Sequence, residues 1–218
     1  MKTLNRYLAR LALIIALPLA LAACGVNTIP TQEEAAKAQW AEVQNQYQRR
    51  ADLVPNLVAT VKGYAAQEAN VLIAVTQARA SATQVRSDAG ITTDPAAFQR
   101  YAAAQNNLSL ALAPLRVLQE AYPDLKSNEN FLALQSQLEG TENRVAIARR
   151  DYNEAVRVYN TTLRTFPQII WAKTVHGGSK PMQLFEATAS AQSAPTVDFG
   201  TPAAVPPPGA APGSTPPN

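Results

Sequence analysis

Apolar residues recur at steps of three and four along most of the chain, the period at which one face of an α-helix is buried. The first such stripe runs Trp40, Val43, Tyr47, Ala51, Val54, Val58, Val61, Ala65, Leu72 and Val75. It predicts helix from about Thr31 to near Arg86, before Gly90. Thr31 with Glu34 fits a capping box, in which a hydroxyl and a carboxylate satisfy the end amides reciprocally. Pro55 falls inside the stripe. A proline removes one helical hydrogen bond and its ring crowds the preceding turn. The residues therefore allow two readings. One is a single long helix kinked at Pro55. The other is a break, with Asp52 capping a second helix that carries Pro55 in its first turn. A single helix of this length reaches about 80 Å at 1.5 Å per residue and overhangs its partners.

A second stretch opens at Asp94-Pro95, where the aspartate suits the cap and the proline the first helical position. Phe98, Tyr101, Leu108, Leu112, Leu115 and Tyr122 form its inner face. Pro114 predicts a kink there and Pro123 a stop. A third stretch, from about Ser127 to Thr165, carries Phe131, Leu134, Leu138, Thr141, Val145, Ala148, Tyr152, Ala155, Tyr159, Thr162 and Phe166. Its strict alternation of three and four is the period of left-handed helix packing. Short connections between long amphipathic helices imply an all-α fold, an antiparallel up-and-down bundle. After Pro167 the pattern fades. An apolar patch, a turn at Gly177-Gly178 and a short piece around Met182 to Phe185 are expected to fold back on the bundle end.

The two ends of the chain read differently. Lys2, Arg6 and Arg10 precede an apolar run from Leu11 to Leu21 broken only by Pro18, and Ala22-Ala23 lead into Cys24. This is the grammar of an export signal, and the run is shorter than the roughly 20 apolar residues that span a bilayer. Leu21-Ala22-Ala23-Cys24 resembles the lipobox of bacterial lipoproteins. That resemblance implies cleavage before Cys24, a diacylglycerol on its thiol and a further acyl chain on the new amino group, such as palmitate. It also implies outer-membrane sorting where such a membrane exists, because Gly25 rather than an aspartate follows. The alternatives are a plain signal peptide with a stray cysteine, or an uncleaved anchor. Cys24 is the only cysteine, so the fold cannot rest on an internal disulfide. About six residues separate Cys24 from Thr31, at most roughly 20 Å of extended chain. From Pro195 to Asn218 the chain is mostly Pro, Ala, Gly, Ser and Thr, which predicts a disordered tail with polyproline character. The expected organisation is residues 1–23 as signal peptide, 24–30 as lipidated linker, 31–190 as helical bundle and 191–218 as tail.

Charge excludes one class of function. The chain carries +3, and Lys2, Arg6 and Arg10 account for all of it. The mature protein is therefore near neutral, with interleaved basic and acidic residues, which argues against a nucleic-acid partner.

"QRRADLVPNLVATVKGYAAQE", from Gln48 to Glu68, is similar to the central signature of LemA proteins. "YPDLKSNENFLALQSQLEGTENRVAIARRDYNEAVRVYN", from Tyr122 to Asn160, resembles the second half of that family, and "FPQIIWAK" and "FEA" fit its end. The resemblance implies a bundle of four antiparallel helices, which favours the break near Asp52 and Pro55. It also implies membrane attachment at the N-terminus, although many family members resemble proteins with an uncleaved anchor helix. The Pro-rich tail is an addition to the family pattern. The resemblance carries no enzyme activity to transfer.

Two polar groupings remain. Arg49, Arg50, Asp52 and Asn56 surround the proline, as a recognition site or as caps and charge pairs. Glu142, with Asn143 beside it, and Arg149, Asn153 and Asn160 form a line on the third stretch. Asparagines are costly inside a bundle unless paired. Facing Arg50 and Asp52, this line predicts a network that fixes helix register, and a peptide groove is the alternative. Tyr152 and Tyr159 read as core packing with their hydroxyls reaching outward. His176 is the only histidine, and no ligand spacing supports a metal site. Catalysis by a nucleophile and base would have to use His176. The expected function is a non-enzymatic, membrane-tethered interaction or scaffold module that needs no cofactor and meets an envelope protein. The alternatives are an envelope receptor for a peptide or small ligand, and an envelope hydrolase dependent on His176.

Overall fold

The computed structural model describes residues 25–85 and 90–186. The signal segment, Cys24 and the Pro-rich tail lie outside the described residues. Within them the fold is all-helical: α1 (Thr28–Tyr64), α2 (Ala69–Gln84), a 3-10 turn (Ile91–Thr93), α3 (Pro95–Ala121), α4 (Pro123–Lys126), α5 (Glu129–Thr162) and α6 (Gln168–Thr174).

The first stretch divides at a different place from either expected reading. Helix α1 runs unbroken through Pro55, and the chain turns at Ala65–Glu68 instead. Pro55 has no N–H for the Ala51 carbonyl. That carbonyl accepts from Arg79 Nε of α2 at 2.8 Å, so a neighbouring side chain replaces the missing bond. Asp52 caps nothing. It is exposed and accepts from Gln48 Nε2 at 2.7 Å. The turn itself is tied by Tyr122, whose hydroxyl accepts from Gln67 Nε2 at 2.9 Å and donates to Glu68 Oε1 at 3.0 Å. Periodicity misses this turn because Ala65, Leu72 and Val75 keep the helical phase across it, all three buried.

Helix starts follow local chemistry more faithfully at α3 and α5 than at α1. Asp94 accepts from the amides of Ala96 and Ala97 ahead of Pro95, as expected. Asn128 caps α5 by accepting from Phe131 N at 2.9 Å. The Thr31–Glu34 capping box does not form. Helix α1 begins three residues earlier, and Thr31 Oγ1 donates back to the Asn27 carbonyl at 2.7 Å. Pro30 then sits in the first turn, where an amide is unsatisfied in any case. Pro114 stays inside α3. The carbonyl it leaves without an amide belongs to Leu110, a residue 71% exposed, where water is available.

Side-chain pairs give the sense of each helix. Along α1 and α5, Glu33 meets Tyr159, Gln46 meets Arg144, Arg50 meets Glu142 and Tyr64 meets Asn128, so the two run in opposite directions. Trp40 touches Phe98 and Tyr101 while Arg50 reaches Gln105 and Ser109, so α3 runs with α1. Helix α2 returns against both. Buried apolar side chains form two clusters. One gathers Ile29 to Tyr47 of α1 with Tyr152, Tyr159 and Phe185. The other gathers Val54 to Ala65 with Leu72, Leu108 and Phe131. Each fully buried Val, Leu, Ile, Phe or Met side chain among them contributes about 1.5–3 kcal/mol. Arg50 lies at the level between them.

Candidate functional site

An extended segment, Ser179 to Phe185, is held to the side of α5 through its main chain. Asn153 Nδ2 donates to the Phe185 carbonyl at 2.9 Å, and Phe185 N donates to Asn153 Oδ1 at 2.9 Å. Asn160 repeats the arrangement on Met182, at 2.8 and 2.9 Å. Each amide thus serves as a neighbouring β-strand would, offering one donor and one acceptor to a single residue. The two asparagines are two helical turns apart, about 10 Å. Met182 and Phe185 are three extended residues apart, also about 10 Å. The sequence spacing of the asparagines therefore matches an extended chain. Tyr152 donates to the Gln183 carbonyl at 2.9 Å, Tyr159 to the Lys180 carbonyl at 3.2 Å, and Gln183 N donates to Thr92 O at 2.7 Å.

Two side chains of the segment act as anchors. Met182 and Phe185 are buried. The Phe185 ring lies 4.8 Å from Phe98, 5.7 Å from Tyr152 and 6.0 Å from Trp40, centroid to centroid. The ring also receives the Arg149 guanidinium, with Cζ 4.5 Å from the centroid, a cation–π contact. Burial pushes the Tyr152 and Tyr101 hydroxyls well above the usual phenol range, and it raises Tyr47 and Tyr159 too.

A second constellation lies deeper. Arg50 is 1% exposed. Its Nη1 donates to Ser109 Oγ at 2.6 Å and to Glu142 Oε1 at 3.0 Å, and its Nη2 to the carbonyl and side-chain oxygens of Gln105 at 3.0 and 2.6 Å. Gln105 Nε2 passes the link to the Ala82 carbonyl at 3.2 Å. The knot therefore joins α1, α2, α3 and α5. A buried charge needs such partners; both terminal nitrogens of Arg50 have them, while its Nε is buried without one.

The polar line on α5 divides between these two places. Glu142 joins Arg50, while Arg149, Asn153 and Asn160 hold the extended segment. Asp52, Asn56 and Asn143 are exposed, and Asn56 contributes its carbonyl to Thr60 Oγ1 at 2.9 Å. Arg49 is exposed as well. Gln105 and Ser109 carry no sequence signal, since Ala-Gln-Asn-Asn-Leu-Ser reads as an ordinary solvated turn of helix. The two-turn spacing shared by Asn153 and Asn160 is the signal that finds the clamp. Cys24 lies outside the described residues.

At the base of the bundle the residues before α1 meet α6 and the turn that follows it. Gly25 is buried against Trp171: a β-carbon at position 25 would lie 3.4 Å from the indole Nε1. His176 Nε2 is 2.9 Å from the Val26 carbonyl, so the histidine fastens α6 to the residues before α1. Among the described residues, no cluster of His, Cys, Asp and Glu is arranged to hold a metal ion, and no helix is long and apolar enough to cross a membrane.

A model of the LemA family matches residues 39–199, spanning α1 to the clamped segment and beyond. Two curated proteins of Paramagnetospirillum magneticum are similar, Magnetosome protein MamQ 1 and Magnetosome protein MamQ 2. Each is 26% identical over 157 residues, which cover 65% of this chain and 58% of the relative. The chain thus spans less than two thirds of the length of these relatives.

Proposed function

The chain belongs to the LemA family, and on that premise we propose that it is a membrane-tethered, non-enzymatic interaction or scaffold module of the cell envelope. Its anchor is lipid on Cys24, its bundle stands on the extracytoplasmic side, and its partners are the membrane and an envelope protein. The helices form an up-and-down bundle of four long members, a reading supported by the alternating sense of α1, α2, α3 and α5. The observation that carries the proposal is the start of α1 at Thr28. Only Gly25, Val26 and Asn27 separate the helix from Cys24, and Gly25 and Val26 are fastened to Trp171 and His176. A lipid on Cys24 then places a rod with one fixed register directly at a bilayer.

Membrane fractionation of the native protein beside Cys24→Ala, with mass spectrometry of the N-terminal peptide, tests the tether. An acylated Cys24 in the membrane fraction, and a soluble variant, are expected. Retention of both proteins with residues 1–23 attached means an uncleaved anchor and sinks the lipoprotein reading.

A second reading, a receptor for an extended peptide, is favoured by the Asn153 and Asn160 clamp, which engages main chain rather than particular side chains. Asn153→Leu separates the two. A folded variant that loses a cross-linked envelope partner supports the receptor. A destabilised variant that keeps its partner supports a structural clamp.

A further inference from the structure

From Leu163 to Phe185 the chain contains no acidic residue, while Arg164, Lys173 and Lys180 are all exposed. None of the three takes part in an ion pair among the described residues. Glu33, which accepts from Ser179 Oγ at 3.4 Å, and its neighbour Glu34 are both engaged by Lys37, at 2.9 and 2.7 Å. In the same stretch Phe166 is 79% exposed, Val175 58% and Ile170 48%. Ile170 and Lys173 are three residues apart within α6 and share one side of it, and Phe166 lies in the turn that leads into that helix. A large aromatic and an aliphatic side chain left in water beside unpaired cations is the composition of a surface that meets lipid.

The position of this surface points the same way. Trp171, on the adjoining side of α6, packs on Gly25. Cys24 immediately precedes Gly25 in the chain. The chain outside the described residues therefore begins at the edge of the apolar and basic patch.

We propose that the α6 end is a lipid-docking face distinct from the anchor. Phe166 and Ile170 enter the interfacial layer of a leaflet carrying anionic phospholipid, and Arg164, Lys173 and Lys180 take its phosphates. Trp171 sits at headgroup level, where indoles are favoured. Each basic residue strengthens attachment to such a leaflet roughly fivefold, less at high salt. The inference rests on the tether reading for its orientation.

The test uses the full chain in vesicles with brominated acyl chains, made of phosphatidylcholine with or without phosphatidylglycerol. Trp40 is buried in the core, so quenching reports Trp171, and Trp171→Phe confirms the assignment. Quenching is expected in the anionic vesicles. It should fall with added salt and be largely lost in Phe166→Ser/Ile170→Ser. Equal emission with and without bromine overturns the docking face, as does quenching that ignores both substitutions. Acylation is read separately by the mass of the N-terminal peptide. A chain without acyl groups that is still quenched removes the anchor and leaves the docking face standing.

Discussion

Asn153 binds Phe185 through both halves of its amide, donating to the carbonyl and accepting from the N–H of the same residue. The last described stretch of chain is thereby held as a strand is held at a sheet edge, by a helix that has no edge to offer. The ring of Phe185 then completes an aromatic group with Trp40, Phe98 and Tyr152.

Asn153→Leu leaves two main-chain groups of a buried residue without partners, at about 1–3 kcal/mol each. The expected result is release of the segment with the bundle still folded. Amide exchange at Met182 and Phe185 should accelerate, while exchange in the middle of α1 and α5 should not. Unchanged protection at Phe185 would show that its ring, rather than the clamp, holds the segment.

The stripes on α1, α3 and α5 were legible from spacing alone, because one buried face repeats with the helix. Tyr152, Tyr159, Leu108 and Trp40 are buried as their phase demands. The stripe ends less well than it begins. Phe166 keeps the phase but lies beyond Thr162, where α5 stops, and is exposed. Tertiary partners were illegible. Nothing around Arg79 announces that it serves a carbonyl 28 residues away, and nothing marks Gln105 as a ligand of Arg50. Asn153 and Asn160 were visible as polar residues needing partners, whereas the partner, a main chain, has no side-chain signature to read.

Arg79 and Pro55 form a testable pair. Arg79→Met leaves the buried Ala51 carbonyl unsatisfied and should cost about 1–3 kcal/mol. In a Pro55→Ala background the helix regains its own amide donor, so most of that loss should vanish. Urea unfolding of the two single variants and the double variant measures the coupling. Equal losses in both backgrounds would mean that Arg79 stabilises the protein by another route.

Glu142→Ala strips the counterion from a buried guanidinium. A loss near 3 kcal/mol is expected, the lower end for a buried pair because Glu142 keeps some exposure, with a midpoint drop of roughly 6–12 °C. Arg50→Met combined with Glu142→Leu removes both charges and should unfold at a higher temperature than Glu142→Ala. The reverse order would show that the knot contributes stability as well as register.

Alkaline pH should loosen the aromatic cluster. Burial raises the hydroxyls of Tyr47, Tyr101 and Tyr152 above the value near 10 that tyrosine has in an unfolded chain. A raised folded value means stability fully present below about pH 10 and lost as the pH climbs through the folded values. Ionised Tyr152 also ceases to donate to Gln183. Thermal midpoints should therefore be flat in these tyrosines from neutrality to about pH 10 and then fall, with phenolate absorbance rising in step. Early, independent phenolate formation without a fall in midpoint would contradict the burial argument.

Arg79 has a mechanical meaning as well. At Pro55 the rod lacks an internal tie, and a side chain from its neighbour splints the gap. The stiffness of α1 is thus lent by α2, so a disturbance that lifts α2 away bends the rod near its middle, while the half nearer Thr28 stays braced by α5 and Phe185.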